Sequence, residues 1–293
     1  MSILQILVAA RWIHFTAIFA LFGCPVACLL LRGSAETARV LGAAGYLLRV
    51  AAVVAALSGL AWIAALITNM AGGFADAATP DTLNAFFFET QFGSVVIVRL
   101  ILLALAVLVI ALPRGIRLGA WFVVGAGLLI DQAWLGHAAN GGASLYGALM
   151  IAVYSIHVLA GAAWVGGLPV LLFALFARRC AADNVAILSR YSILAASAVT
   201  LILLSGLANA LFRVHGHIAQ LVATGYGEIL LVKLILVALM LGLAGYNRFI
   251  ALPGLGATKE MPSRLVLSIG VELTLGLLVI GVAALLGITP PPD

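Results

Sequence analysis

Two stretches of the chain repeat each other and are apolar enough to cross a membrane. Residues 90–105 read TQFGSVVIVRLILLAL, and residues 224–239 read TGYGEILLVKLILVAL. A threonine, an aromatic residue, a glycine and a basic residue recur in the same register before a Leu-Ile-Leu sequence. Segments of this kind must be helical in lipid, because their backbone groups have no water to bond. The pair therefore predicts transmembrane helices within an internal repeat.

The composition places the rest of the chain in the same class. Hydrophobic residues make up 65% of the 293 residues and charged residues only 9%, whereas soluble domains have roughly 45–50% and 25%. A water-soluble protein could not cover its surface with so few charges, so a soluble enzyme is excluded. The net charge of +5 comes from bases next to helix ends, which is a membrane-topology signal and predicts no nucleic-acid partner.

Eight apolar runs are long enough to cross a bilayer, and charged or Gly/Pro-bearing breaks separate them. They cover residues 3–31, 50–70, 92–112, 118–136, 145–176, 191–212, 226–247 and 265–287. We therefore predict an all-α polytopic membrane protein with a single transmembrane domain of eight helices.

The repeat divides these helices into two halves, at about residues 1–143 and 144–293. SGLAW (58–62) in the second span matches SGLAN (205–209) in the sixth, and His14 in the first span matches His157 in the fifth. Because each half has an even number of spans, both halves enter the membrane from the same side. We predict two parallel four-helix repeats related by an axis along the membrane normal.

Basic residues indicate the orientation of the chain. Alternate breaks carry most of them: Arg32, Arg39, Arg49, Arg114, Arg117, Arg178, Arg179, Arg190, Arg248, Lys259 and Arg264. The break between spans 2 and 3, on the opposite side, carries Asp76, Asp81 and Glu89. By the positive-inside rule, the basic breaks are cytoplasmic. We expect a multi-pass protein of the bacterial inner membrane with both termini in the periplasm.

Charged residues inside the spans are costly in lipid and therefore informative. Arg99 and Asp131 lie at about the same depth at ~1.5 Å per residue, which predicts an ion pair with a structural role more readily than a role in transport. Lys233 is the counterpart of Arg99 in the repeat, and Glu272 lies nearer the cytoplasmic side.

The histidines all lie toward the outer side of the membrane. His14 and His157 are inside the outer halves of their spans, His137 ends the fourth span, and His215 and His217 follow the sixth. Imidazole is the commonest protein ligand of late transition metals, although a histidine within a membrane can also serve as a hydrogen-bonding group between helices. We predict His14, His137 and His157 as metal ligands, with His215 and His217 as secondary ligands.

Softer donors are also present. Cys24 and Cys28 are four residues apart on one face of the first span, where thiolates would suit Cu(I). Cysteine also packs as a small apolar residue, which is the alternative here. Met150 is a weaker thioether candidate near the outer end of the fifth span. Phosphate-loop, nucleophile-elbow and paired-carboxylate patterns are missing from the sequence, so we expect no enzyme.

The sequence resembles the CopD family of bacterial copper-resistance inner-membrane proteins. The resemblance covers almost the whole chain and depends on the order of several motifs. They are RWIHF (11–15), LGHAA (135–139), HVLAGAAWVGGLPVL (157–171), RYS (190–192), TGYGEILLVK (224–233), YNR (246–248) and VEL (271–273).

This resemblance implies copper handling. The protein would accept copper from the small periplasmic copper-binding protein CopC and move it into or across the inner membrane. By the same resemblance, His14, His137 and His157 become the leading copper ligands. Two alternatives stay open. One is a membrane b-type cytochrome with His14 and His157 as axial ligands of haem b. The other is a copper-binding sensor or scaffold that does not transport the ion.

Overall fold

The fold is a bundle of long helices. The computed structural model describes residues 2–30, 37–136, 139, 141–177, 181–214, 224–254 and 263–290. Within these ranges, eight helices are long and apolar enough to cross a membrane, so the eight predicted spans are confirmed. Spans 1 to 8 run over Ile3–Leu30, Thr37–Ala71, Gln91–Leu108, Arg114–Asp131, Leu145–Val165 with Leu168–Ala177, Ala181–Val214, Gly225–Tyr246 and Ser263–Leu286. The half of the bundle that contains the start of span 1 is called the outer half, after the predicted orientation.

Shorter helical elements extend or connect the spans. Two short helices and a π-helical turn link spans 2 and 3, single 3₁₀ turns end spans 3 and 4, and a π-helical turn and one helical turn prolong span 7. Their bounds are Phe74–Ala77, Pro80–Asn84, Ala85–Glu89, Val109–Ala111, Gln132–Leu135, Asn247–Ala251 and Leu252–Gly254.

Two helices begin well before the apolar runs that predicted them. Span 2 begins at Thr37 instead of residue 50, and span 6 begins at Ala181 instead of residue 191. Hydropathy reports only the part of a helix that contacts lipid. The preceding residues, 37–49 and 181–190, contain three alanines each, and alanine favours helix in any solvent, so both helices continue at the end predicted to be cytoplasmic.

The repeated sequence encodes helix starts. The side chain of Thr90 accepts a hydrogen bond from the backbone N–H of Gly93 at 3.2 Å, and Thr224 accepts one from Gly227 at 3.2 Å. Both threonines are N-caps, which supply an acceptor to an N–H that the helix itself cannot satisfy. The threonine and glycine that recur in the sequence are thus the cap and the third residue of spans 3 and 7.

The two halves meet where spans 1 and 5 cross. A Cβ added to Gly23 would lie 2.1 Å from the carbonyl oxygen of Ala162, and one added to Gly166 would lie 2.1 Å from that of Phe19. Glycines allow helix backbones to approach this closely. Positions 19 and 23 are the repeat counterparts of 162 and 166, so the contact is reciprocal. A two-fold relation along the membrane normal produces such self-complementary contacts.

Span 1 is the central helix of the bundle. It packs against spans 2, 4, 5 and 8, and more of it is buried than of spans 6 and 7. The latter two expose large apolar side chains, for example Leu204 and Leu231, as expected where lipid is the solvent. Polar groups on or next to span 1 are therefore the most enclosed in the bundle.

Candidate functional site

His14 lies fully buried in the outer half and is bonded through both ring nitrogens. Its Nδ1 is 2.9 Å from the backbone carbonyl oxygen of Ala55, and its Nε2 is 2.9 Å from Nη1 of Arg99. A carbonyl oxygen can only accept, so Nδ1 carries the hydrogen. Nε2 then holds the lone pair and accepts from the guanidinium, which means that the imidazole is neutral in this arrangement.

Arg99 connects His14 to a carboxylate. Its Nε donates to Oδ2 of Asp131 at 2.9 Å, and its Nη2 donates to the carbonyl oxygen of Leu128 at 3.2 Å. The guanidinium also lies 5.0 Å from the ring centroid of Trp62. The predicted ion pair between Arg99 and Asp131 is therefore confirmed. All three guanidinium nitrogens have an acceptor, and charge-assisted bonds of this kind hold spans 1, 3 and 4 together.

A second guanidinium lies on the same tryptophan. Arg11 is 6% exposed, and its guanidinium carbon is 5.3 Å from the ring centroids of both Phe15 and Trp62. Its Nη2 lies directly against Gly287: a Cβ added to this glycine would be 2.4 Å from Nη2 of Arg11. Two guanidiniums and the carboxylate of Asp131 therefore lie in one buried region. We call His14, Arg11, Trp62, Arg99 and Asp131 the outer cluster.

His157 occupies the matching place in the second half. Its Nδ1 is 3.1 Å from Oγ of Ser205, and a Cβ on Gly206 would lie 3.3 Å from its Cε1. In the first half, a Cβ on Gly59 would lie 3.0 Å from Cε1 of His14. The glycine of each repeated SGLA segment thus lies against a histidine in its half, and the serine bonds the histidine in the second half. Sequence reasoning used these segments only as a sign of the repeat and missed their contact with the histidines.

The other predicted ligands are distributed as follows. Cys24 and Cys28 are buried in the inner half of span 1, and the thiol of Cys24 donates to the carbonyl oxygen of Gly166 at 3.2 Å. Met150 is buried, with its sulfur 3.2 Å from the place of a Cβ on Gly141. Three of the predicted histidines lie outside the described residues: His137, His215 and His217. In the part of the chain that the structure describes, no group of three or more His, Cys, Asp or Glu could hold a metal ion.

Glu272 anchors a second polar group, in the inner half. Its Oε1 accepts from Nε1 of Trp164 at 2.7 Å, and its Oε2 accepts from Nδ2 of Asn247 at 3.1 Å. Oγ of Ser268 donates to Oδ1 of Asn247 at 2.6 Å. The hydroxyl of Tyr191 donates to the backbone carbonyl oxygen of Trp164. We call these five residues the inner cluster; they come from spans 5 to 8 and their extensions.

A cavity of about 370 Å³ adjoins the inner cluster. It lies between spans 5 to 8, and apolar side chains form most of its wall. Its polar lining consists of Tyr191, Ser192, Thr200, Asn247, Arg248 and Glu272. The Nη1 of Arg248 donates to both the carbonyl oxygen and Oγ of Ser192 at 2.8 Å.

Comparisons with known proteins agree with the motifs. Family models match residues 1–148 (Copper resistance protein D-like, N-terminal domain) and residues 185–286 (Copper resistance protein D). The inner membrane protein YebZ of Escherichia coli is 34% identical over 84% of each chain. Copper resistance protein D of Pseudomonas syringae is 28% identical, over 97% of this chain and 96% of its own.

A third relative is longer. Copper transport protein CutJ of Bacillus subtilis is 32% identical over 76% of this chain, which corresponds to 41% of CutJ. No solved structure matches the chain. The two family models together cover most of the eight spans, and the chain therefore belongs to the copper resistance protein D family.

Proposed function

We propose that this protein accepts copper at the periplasmic face of the bacterial inner membrane and moves it into or across the membrane. Both termini would be periplasmic, and a small copper-binding protein of the CopC type would be the donor. The names of the relatives, a copper resistance protein and a copper transport protein, support copper as the cargo and a carrier rather than an enzyme.

One observation carries the choice of His14 and His157 as ligands. Oγ of Ser205 donates its single hydrogen to the carbonyl oxygen of Leu201, so it must accept from Nδ1 of His157. His14 likewise donates through Nδ1, to Ala55. Both imidazoles thus have the tautomer whose lone pair is on Nε2. Metal-binding histidines are oriented in this way, by a partner on the nitrogen that faces away from the metal.

Arg99 controls whether His14 can bind copper. In this structure its Nη1 donates to the Nε2 lone pair of His14, and copper needs the same lone pair. The guanidinium of Arg11 also lies nearby, so positive charge opposes an incoming cation. Copper would therefore bind His14 only after Arg99 withdraws from it. The guanidinium is rigid and planar, so a withdrawal of Nη1 from His14 also changes the bonds of Nε to Asp131 and of Nη2 to Leu128.

The remaining ligands define a proposed route. Copper would first meet His137, with His215 and His217 assisting its capture, and then pass to His157 and His14. Cys24 and Cys28 lie deeper in span 1 and offer softer donors for Cu(I) on the inner side. Met150, at the outer end of span 5, is a further thioether donor.

Copper titration of purified variants tests this proposal. We expect His157→Ala to weaken copper binding by ten-fold or more, which corresponds to roughly 1.4 kcal/mol, and the His14/His137/His157 triple alanine variant to lose the site. Thr16→Ala is the matched control, because it changes span 1 two residues from His14 outside the outer cluster. Full copper binding by a folded triple variant would refute the assignment.

An absorption spectrum of the purified protein separates copper from haem b. A haem ligand needs space for a porphyrin beside Nε2, and at His14 the guanidinium of Arg99 occupies that position. Trp62 encloses the ring, at 5.6 Å between ring centroids. We therefore expect no haem absorption, and a haem spectrum lost in His14→Ala would favour the cytochrome instead.

A further inference from the structure

We propose that Glu272 is a proton-binding site that exchanges its proton with the inner side of the membrane through the adjoining cavity. This goes beyond copper handling and requires no metal ion. In the exchange, a hydronium ion in the cavity gives its proton to the carboxylate of Glu272. The products are a neutral carboxylic acid and a water molecule, and release is the reverse step.

The burial of Glu272 is the first argument. Its side chain belongs to span 8 and is 4% exposed, although an ionised carboxylate inside a membrane is costly. The bonds to its two oxygens come from neutral groups, the indole of Trp164 and the amide of Asn247. Neutral donors lower this cost without cancelling the charge, whereas Asp131 is held by a guanidinium. Taking up a proton removes the charge at Glu272.

The atoms that face the carboxylate of Glu272 favour binding of a proton over binding of a metal ion. Ser268 donates to Oδ1 of Asn247, which turns the NH₂ group of that amide toward Glu272. Trp164 also presents an N–H. Hard cations require about six oxygen ligands, and here two N–H groups face the carboxylate instead. Each carboxylate oxygen accepts one of these bonds and retains a further lone pair, which a proton can use.

The cavity supplies the path. Its volume of about 370 Å³ is enough for several water molecules, since each occupies ~30 Å³ in the liquid. Asn247, Arg248 and Ser192 lie at its cytoplasmic end by the predicted orientation and give waters their hydrogen-bond partners. The dissociable groups next to Glu272 are Tyr191 and Arg248. Both donate a hydrogen to an acceptor, Tyr191 to the carbonyl oxygen of Trp164 and Arg248 to Ser192, whereas Glu272 only accepts and keeps a lone pair for an incoming proton.

Infrared spectroscopy in lipid nanodiscs tests the site without copper. As the pH falls, each of the ten Asp and Glu side chains gives a carbonyl band once it becomes a neutral acid, so the signal of Glu272 is the difference between the wild-type and Glu272→Gln spectra. We expect one component of the wild-type band to be missing in Glu272→Gln and to be retained in the matched control Glu228→Gln, at the outer end of span 7. The proposal is overturned if no component is lost in Glu272→Gln beyond the loss in Glu228→Gln, or if the component that is lost does not change over the pH range in which the protein stays folded.

A second pair of variants tests the path. Ala244 lines the cavity, whereas Ala238, on the same helix, is exposed on the outside of the bundle. We expect Ala244→Phe to slow hydrogen–deuterium exchange at the Glu272 carboxyl by ten-fold or more, and Ala238→Phe to leave the rate unchanged. Equal rates in wild-type and Ala244→Phe would overturn access through the cavity. Copper titration of the same variants shows separately whether the proposed copper site is intact.

Discussion

The outer and inner clusters each contain a buried carboxylate, and they stabilise it with different kinds of partner. In the outer cluster, Arg99 neutralises Asp131, and all three guanidinium nitrogens of Arg99 have an acceptor, whereas Nε of Arg11 is buried without a hydrogen-bond partner. In the inner cluster, neutral donors hold the carboxylate of Glu272 beside a cavity. A charge with a counter-charge is fixed in place, whereas a carboxylate with neutral partners can gain or lose a proton at moderate cost. The Arg99–Asp131 pair is therefore the more fixed of the two, and Glu272 is the group that we propose changes its protonation state.

The two predicted halves share helix caps and glycine contacts and differ in their polar groups. Thr90 and Thr224 cap equivalent helices, and Gly23 and Gly166 make reciprocal contacts. In contrast, the carboxylate of the first half is paired with arginine, and Glu272 of the second half is not in an equivalent position. The caps and close glycine contacts meet the same requirements of helix geometry in both halves, whereas the buried carboxylates have different partners.

The largest expected effect is a difference in the free energy of unfolding between a variant of the outer cluster and a variant of the inner cluster. Arg99→Ala leaves the buried carboxylate of Asp131 without its guanidinium and His14 without its donor. Removing one partner of a buried pair costs about 3–5 kcal/mol, so we expect a loss of that size in the free energy of unfolding. Glu272→Gln keeps an acceptor for Trp164 and should cost about 1–1.5 kcal/mol. Denaturant unfolding in detergent measures both, and equal losses would contradict the comparison.

The next largest effect concerns the close contacts of Gly23 and Gly166 between spans 1 and 5. Gly23→Ala places a Cβ 2.1 Å from the carbonyl oxygen of Ala162, and Gly166→Ala places one 2.1 Å from that of Phe19. Backbone atoms cannot rotate away, so spans 1 and 5 must separate. Overpacking of this kind typically costs about 1–3 kcal/mol.

The reciprocal contact also predicts that the two costs are similar. Gly161→Ala is the control, because its Cβ would lie 3.5 Å from Phe19, in ordinary contact. Thermal unfolding of the three variants gives the comparison. A cost for Gly23→Ala without one for Gly166→Ala would show that the contact is not a symmetric one.

The sequence predicted depth in the membrane better than it predicted neighbours. Counting residues along spans 3 and 4 placed Arg99 and Asp131 at one level, and they form an ion pair. Counting does not tell which face of a helix turns inward. In a soluble helix the apolar face gives this information, but here both lipid and the protein interior are apolar. The bond from Arg99 to His14 and the bond from Trp164 to Glu272, which join residues far apart in the chain, therefore required the structure.

The smallest expected effect sharpens the description of the inner cluster. Ser268→Ala removes the hydroxyl that fixes the amide of Asn247, and the loss of one such bond costs about 0.5–1.5 kcal/mol. Without it, Asn247 can turn its oxygen toward Glu272, which favours the neutral acid because that form can donate to it. We expect the carboxylic acid band to appear at higher pH than in the wild-type protein. Thr274→Ala is the matched control, because Thr274 is exposed on the same helix and bonds only within its own turn, to Gly270. An unchanged titration in Ser268→Ala would mean that Asn247 does not set the proton affinity of Glu272, and that Trp164 is the donor to vary next.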